Sequence, residues 1–391
     1  MNTTAAPGPA TLPDYRGGGI VNLMVTIAAA FGAEERIYPP LRALPPARLA
    51  SRNVVLLVVD GLGYDCLQSH CPDGFLAGQL VARLTSVFPS TTATAVTTFL
   101  TGTAPQQHGV TGWFMYVREL RSVLTVLPYR HRDGRAAALP AAAELLDPAP
   151  LFDRLDARSH VVAPQRIVNS SFNTAFKGAA CLRGFETLEQ MFATSVAAVC
   201  EPGRRNYVYA YWSELDRIAH EHGIRSSAVA GHLGELDAGI ARFAATLRGT
   251  DTTLIVTADH GFIDARPEQR IELAMHPELA RMLALPLCGE PRAAYLYLQA
   301  DRRSEVQRYV STHFDGLAAL VDSERLIESG HFGLGAAHPA LRERIGDCAL
   351  IMRQGAVLKD WLPGEPRYAH VGVHGGLSAE EMYVPLSVVP P

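Results

Sequence analysis

Four short stretches of this sequence carry side chains that could hold divalent cations: Asp60-Gly61, Asp216 with His220, Asp259-His260-Gly261, and His374-Gly375-Gly376. The spacing of Asp216 and His220 puts both on one face of a helix. An adjacent Asp–His pair points in two directions, yet both members can reach one centre from a tight turn. Taken singly, each stretch has a plainer explanation as an N-cap aspartate, turn chemistry or a surface histidine. Taken together, three aspartates and three histidines make two sets of mixed nitrogen and oxygen ligands without thiolate. That chemistry favours zinc, with manganese as the alternative. Two such ions about 4 Å apart can clamp the attacking and leaving oxygens of an in-line displacement at phosphorus. A nucleophile is available in Val87–Ala95 (VFPSTTATA), which opens a helical run ending at Thr101-Gly102. A hydroxyl at a helix N-terminus sits where the dipole and free N–H groups favour an anion. Ser90 or Thr91 would serve equally as the helix cap, so one hydroxyl can cap while another attacks.

The elements that must position these groups follow from hydrophobic patterning. Asn53–Val59 (NVVLLVV) is an unbroken β-branched run, suited to a central parallel strand covered on both faces. Similar runs recur at 160–163, 206–212, 253–257, 293–298 and 347–352, with a helical pattern clearest at Ser226–Leu247. Alternating strands and helices predict an α/β fold with a mostly parallel sheet. Reactive groups in such sheets gather beyond the carboxyl ends of the strands, where Asp60, Asp216 and Asp259 all fall. Gly19–Gly32 is too short to span a bilayer and has a poor signal-peptide flank, so it reads as an amphipathic helix packed on the domain. Residues 1–13 are expected to form a flexible tail, and 14–391 a single catalytic domain. Two segments, 113–138 and 265–345, read as cap insertions; the first is a β-hairpin whose turn carries arginines at 118, 121, 130, 132 and 135.

Composition narrows the classes. The 391 residues carry 35 Lys+Arg against 39 Asp+Glu, a formal net charge of −4, which offers no broad cationic field for a nucleic-acid polymer or an anionic membrane. The 6 cysteines form no C-x-x-C pair and no disulfide scaffold, pointing to mostly buried thiols and a cytoplasmic setting. Nothing in the sequence fixes an oligomeric state.

In order along the chain, VVLLVVDGLG, SVFPSTTATAVTTFLTG, APQQHGVTG, YWSELDRIAHEHG, TLIVTADHG and HGGLSAEEMYVPL resemble the alkaline phosphatase superfamily, in its nucleotide pyrophosphatase/phosphodiesterase-like branch. The resemblance runs from about residue 50 onward and implies a three-layer αβα sandwich with a two-zinc site. Carried over by position, it makes Asp216, His220 and His374 the ligands of one zinc and Asp60, Asp259 and His260 those of the other. Thr92 matches the nucleophilic threonine, bridging or approaching the second metal, with a covalent phosphothreonine that water then releases. The expected substrate is a small-molecule phosphoester, most of all a phosphodiester or nucleotide pyrophosphate. Two departures bear on specificity. The position of the branch's phosphate-gripping asparagine is Trp113, and the residue after the nucleophile, often a base-stacking aromatic, is Ala93. Trp113 is therefore a candidate substrate contact. Within the superfamily, Cys71-Pro72 does not match a sulfatase motif, and no large transferase insertion suits a phosphomutase. A phosphomonoesterase and a phosphonoacetate-type phosphonate hydrolase are the alternatives. A catalytically idle metal or phospho-ligand binder is the reading from another class, disfavoured because all seven positions are filled.

Overall fold

The computed structural model describes residues 10–34, 37–365, 367 and 369–391. Most of the expected 1–13 tail lies outside them, and within the rest Thr11 donates its N–H to the Leu377 carbonyl at 2.8 Å. The chain builds two seven-stranded sheets. In the larger one, the strand order is Leu80–Thr85, Tyr383–Val389, Thr252–Thr257, Asn53–Val59, Asn206–Trp212, Arg158–Pro164 and Cys181–Phe185. Every strand points the same way except Tyr383–Val389, which is antiparallel to both neighbours. The three middle strands are buried along their whole length, as uninterrupted apolar runs require when helices cover both faces.

Alternation along Asn206–Trp212 separates those two covers. Tyr207 and Tyr209 meet Phe31 and Phe99, from the ends of helices Ile20–Ala30 and Thr92–Thr101. Trp212, on the opposite face, stacks on His232 of helix Ser227–Thr246. The result is the three-layer αβα sandwich expected. The long helix has Ser226 as its cap, accepting a hydrogen bond from the Val229 N–H. The N-terminal helix departs from expectation: Ile20 to Ala28 are buried all round, so it is a core element rather than an amphipathic one.

The second sheet corrects the strand reading in one respect. Ala293–Leu296 and Cys348–Met352, which looked like further parallel strands, pair antiparallel with each other. They join Ala318–Asp322, Cys288–Glu290, Phe114–Val117, Ser122–Thr125 and Arg130–His131 in this second sheet. The 113–138 segment contributes its hairpin, and most of the remaining strands come from 265–345. The two contributions meet where Gly289 pairs with Phe114. Gly112, at φ +155, lies so close there that a Cβ would sit 2.8 Å from the Gly289 Cα, which leaves room for nothing larger. Arg132, read with the other hairpin arginines, is buried and paired with Asp360 and Glu365. All six cysteines are free, but only Cys66, Cys288 and Cys348 are buried. Among the described residues, no helix is long and apolar enough to cross a membrane.

Candidate active site

The strands Thr252–Thr257, Asn53–Val59 and Asn206–Trp212 are neighbours in register, so the groups that follow them arrive side by side. Asp60 extends its strand by one step, its N–H bonding the Trp212 carbonyl at 2.8 Å. Asp216 and His220 lie on helix Glu214–His222, which follows the second of these strands almost directly. Thr92 is the first residue of helix Thr92–Thr101, which ends at Gly102 in the left-handed region, φ 73. No side chain caps that helix. The Ser90 hydroxyl donates to the Gly376 carbonyl at 2.8 Å and the Thr91 hydroxyl to Glu290 Oε1 at 2.8 Å. The capping role expected of one of them is thus unfilled, and the helix N-terminus stays open beside Thr92.

The structure brings all six acidic and histidine residues together with Thr92. Asp60, Asp259 and His260 offer ligand atoms within 4.8 Å of one another, and so do Asp216, His220 and His374. Thr92 Oγ1 lies 3.1 Å from His260 Nε2. Each imidazole turns its Nδ1 to a backbone carbonyl: His220 to Gly372 at 2.9 Å, His260 to Gly261 at 3.1 Å, His374 to Ser90 at 3.2 Å. A carbonyl can only accept, so the ring proton belongs on Nδ1 and the Nε2 lone pairs point inward. His220 Nε2 and His374 Nε2 then face each other at 3.3 Å with no proton to share. Each aspartate also keeps one oxygen buried without a hydrogen-bond partner: Asp60 Oδ1, Asp216 Oδ1 and Asp259 Oδ2. Opposed lone pairs and orphaned carboxylate oxygens are costly alone and are satisfied together by cations placed among them. The residues fit two divalent ions. The electrostatics of the centre agree: burial, reinforced by the charges of Asp216 and Asp259, holds the Asp60 carboxyl well above its usual range. Burial also raises Asp216 against the pull of His220, and burial with His260 and His220 nearby holds His374 far below the usual imidazole value.

The centre opens into a cavity of about 870 Å³ lined by Asp60, Thr92, Asp216 and His220 at one end, and by Trp113 among others. Four participants escaped the sequence reading. The Tyr211 hydroxyl donates to Asp60 Oδ2; it sits inside an apolar run and reads there as core. Glu290 accepts from the Thr91 hydroxyl and, at 2.7 Å, from the Trp113 N–H, tying the nucleophile's helix to the Trp113 turn. Burial pushes its carboxyl up to about 7. His370 lies against His220, ring centroids 4.1 Å apart. Arg166, exposed at the cavity, donates to the Ser213 hydroxyl at 2.9 Å.

The sequence profile of the type I phosphodiesterase / nucleotide pyrophosphatase family matches residues 54–377. The chain belongs to that family. That family is part of the alkaline phosphatase superfamily, and its members are metal-dependent hydrolases of phosphoesters. Among solved structures, murine ectonucleotide pyrophosphatase/phosphodiesterase 5 is similar to this family member with a TM-score of 0.67 and 18% identity, covering 86% of this chain and 88% of that one. The human counterpart gives 0.66 at 17% identity, covering 86% and 88%. Phosphonoacetate hydrolase from Sinorhizobium meliloti 1021, in complex with phosphonoformate, gives 0.61 at 17% identity, covering 86% and 90%. At these identities the likeness speaks for the fold. No curated protein sequence matches this family member significantly.

Proposed function

We propose that this family member is a zinc-dependent phosphodiesterase or nucleotide pyrophosphatase with Thr92 as nucleophile. The observation that carries the reading is the position of Thr92 Oγ1, at an uncapped helix N-terminus and beside two convergent ligand sets. Asp216, His220 and His374 would hold one cation, and Asp60, Asp259 and His260 the other. When bound, two divalent cations supply charge neutralisation at the transferred phosphoryl group and favour the ionised form of oxygen groups beside them. The chain's residues do the rest. Thr92 Oγ1, having lost its proton, attacks phosphorus in line with the scissile bond. That bond breaks with its electron pair on the leaving oxygen, which takes up a proton. Water then cleaves the phosphothreonine, restoring the hydroxyl and releasing a phosphate monoester. The helix N-terminus faces the phosphoryl oxygens throughout.

The test compares bis-p-nitrophenyl phosphate with p-nitrophenyl phosphate on zinc-loaded, manganese-loaded and chelated protein. Preference for the diester, restored best by zinc and lowered by Thr92→Ala at least about a thousandfold, is the expected outcome. Near-normal turnover in Thr92→Ala with cations bound would refute the nucleophile. One observation favours a monoesterase as second reading: Arg166 places a cation at the cavity, as a monoester dianion requires. Monoester preference that disappears in Arg166→Ala would move the assignment there.

A further inference from the structure

The cavity is much larger than a phosphoryl group needs. Its roughly 870 Å³ falls among pockets that enclose a drug-sized ligand, and it is lined well beyond the ligand sets. From Asp60 and Thr92 it runs back over the tyrosine face of the larger sheet, past Tyr211 to Tyr209 on one strand and past Ala163 to Val161 on the next. Val96, one helical turn beyond Thr92, closes it from above. Trp113, Leu127, Pro128, Ile167 and Phe172 add apolar wall, and the polar residues Arg166, Ser170, Asn173, Ser213, Arg217 and Glu221 also line the cavity.

We infer that this arm holds an apolar alkyl or aryl substituent on the phosphodiester whose phosphorus meets Thr92. The inference rests on the hydrolase reading above and names its substrate class. A nucleobase carries several donors and acceptors around its edge, and the arm has little to meet them. The Asn173 side-chain nitrogen donates to the Ile167 carbonyl at 2.9 Å and the Ser170 hydroxyl accepts the Asn173 N–H at 3.2 Å, while at the exposed rim Arg166 reaches the Ser213 hydroxyl and Arg217 pairs with Glu221. On the floor the Tyr211 hydroxyl is already engaged with Asp60, and the Tyr209 hydroxyl is buried without a hydrogen-bond partner. Burying a base edge there would leave several polar atoms unpaired, whereas a hydrocarbon would leave only that hydroxyl as it already is. Ala93, beside the nucleophile, offers no ring for stacking.

A series of alkyl 4-nitrophenyl phosphodiesters, methyl to hexyl, tests this. We expect kcat/KM to climb about fourfold per buried methylene until the arm is filled, and the hexyl ester to outrun thymidine 5′-(4-nitrophenyl phosphate). Leu127→Asp and Ile167→Asp, at half-buried wall positions, should each lower the hexyl-to-methyl ratio about tenfold. A flat series with normal turnover, or a thymidyl ester that beats the hexyl ester, overturns the inference and leaves the hydrolase reading standing. If no diester is turned over, the hydrolase reading falls first. Calorimetric titration of Thr92→Ala with methylphosphonate and hexylphosphonate then decides the arm alone. Tighter hexyl binding with a more negative heat-capacity change supports it, and equal affinities overturn it.

Discussion

A histidine that bonds a carbonyl through Nδ1 has lost its choice of tautomer, and three of them here lose it in the same sense. The inward lone pairs are therefore set by backbone carbonyls that no motif search registers. Tyr211 does for Asp60 what those carbonyls do for the imidazoles. Its hydroxyl occupies Oδ2 and leaves Oδ1 turned to the centre. Removing such a partner loosens a ligand without deleting it, and typically costs about 10–100-fold in metal affinity. Tyr211→Phe should weaken binding at the Asp60 set by that factor while binding at the Asp216 set changes little. Competitive titration with a chromophoric chelator would show the two sites separating; a uniform loss at both would contradict this assignment. The seven residues picked out from sequence do converge, because each sits at the end of an element whose boundaries are local signals. Tyr211 and Glu290 were not legible for the opposite reason. Their side chains acquire meaning only through neighbours 151 and 199 residues away.

At the scale of elements, apolar runs located strands well but could not say which sheet a strand joins. Asn53–Val59 and Cys348–Met352 are both buried along their length, one in a parallel sheet and the other in an antiparallel one. Burial on two faces produces the same sequence in either setting. The N-terminal helix shows the same limit, since helix Thr92–Thr101 and the turn Pro46–Leu49 both pack on it and leave no exposed face. The nucleophile helix illustrates how elements hold each other. His108, in the short helix Pro105–His108, accepts the Val110 N–H at Nδ1 and lies 3.3 Å from the Thr98 hydroxyl through Nε2. Burial, with His338 and Arg344 nearby, lowers its pKa from 6.5 to about 3. The folded protein therefore keeps it neutral where the unfolded chain would protonate it. Its contribution to stability is full above about pH 6.5 and is lost as pH falls towards 3. Urea midpoints measured between pH 7 and 4 should fall less steeply in His108→Gln than in the parent; parallel curves would argue against the buried neutral ring.

For the whole molecule, the smaller sheet is a brace for the site as well as a cap. Glu290 holds the Thr91 hydroxyl, and Arg292, two residues on, holds Glu381 through two contacts at 3.0 and 2.7 Å. Glu381 in turn receives the Gly376 N–H at 2.8 Å, two residues past His374. Arg292 and Glu381 are 1% and 0% exposed, so removing one partner strands a buried charge. Arg292→Met should cost about 3–5 kcal/mol, and pairing it with Glu381→Met should recover much of that loss. Denaturant unfolding of both variants checks it; equal losses in the single and double variants would show that packing, not charge, is at stake. The one reversed strand of the larger sheet, Tyr383–Val389, has a consequence in time. Synthesis proceeds from the N-terminus, so this strand leaves the ribosome after every residue of the site. Until it arrives, Thr252–Thr257 keeps an open edge and Leu80–Thr85 has no neighbour in the sheet. The nascent chain can assemble its parallel core early, but that core stays unsealed until translation has passed the last ligand.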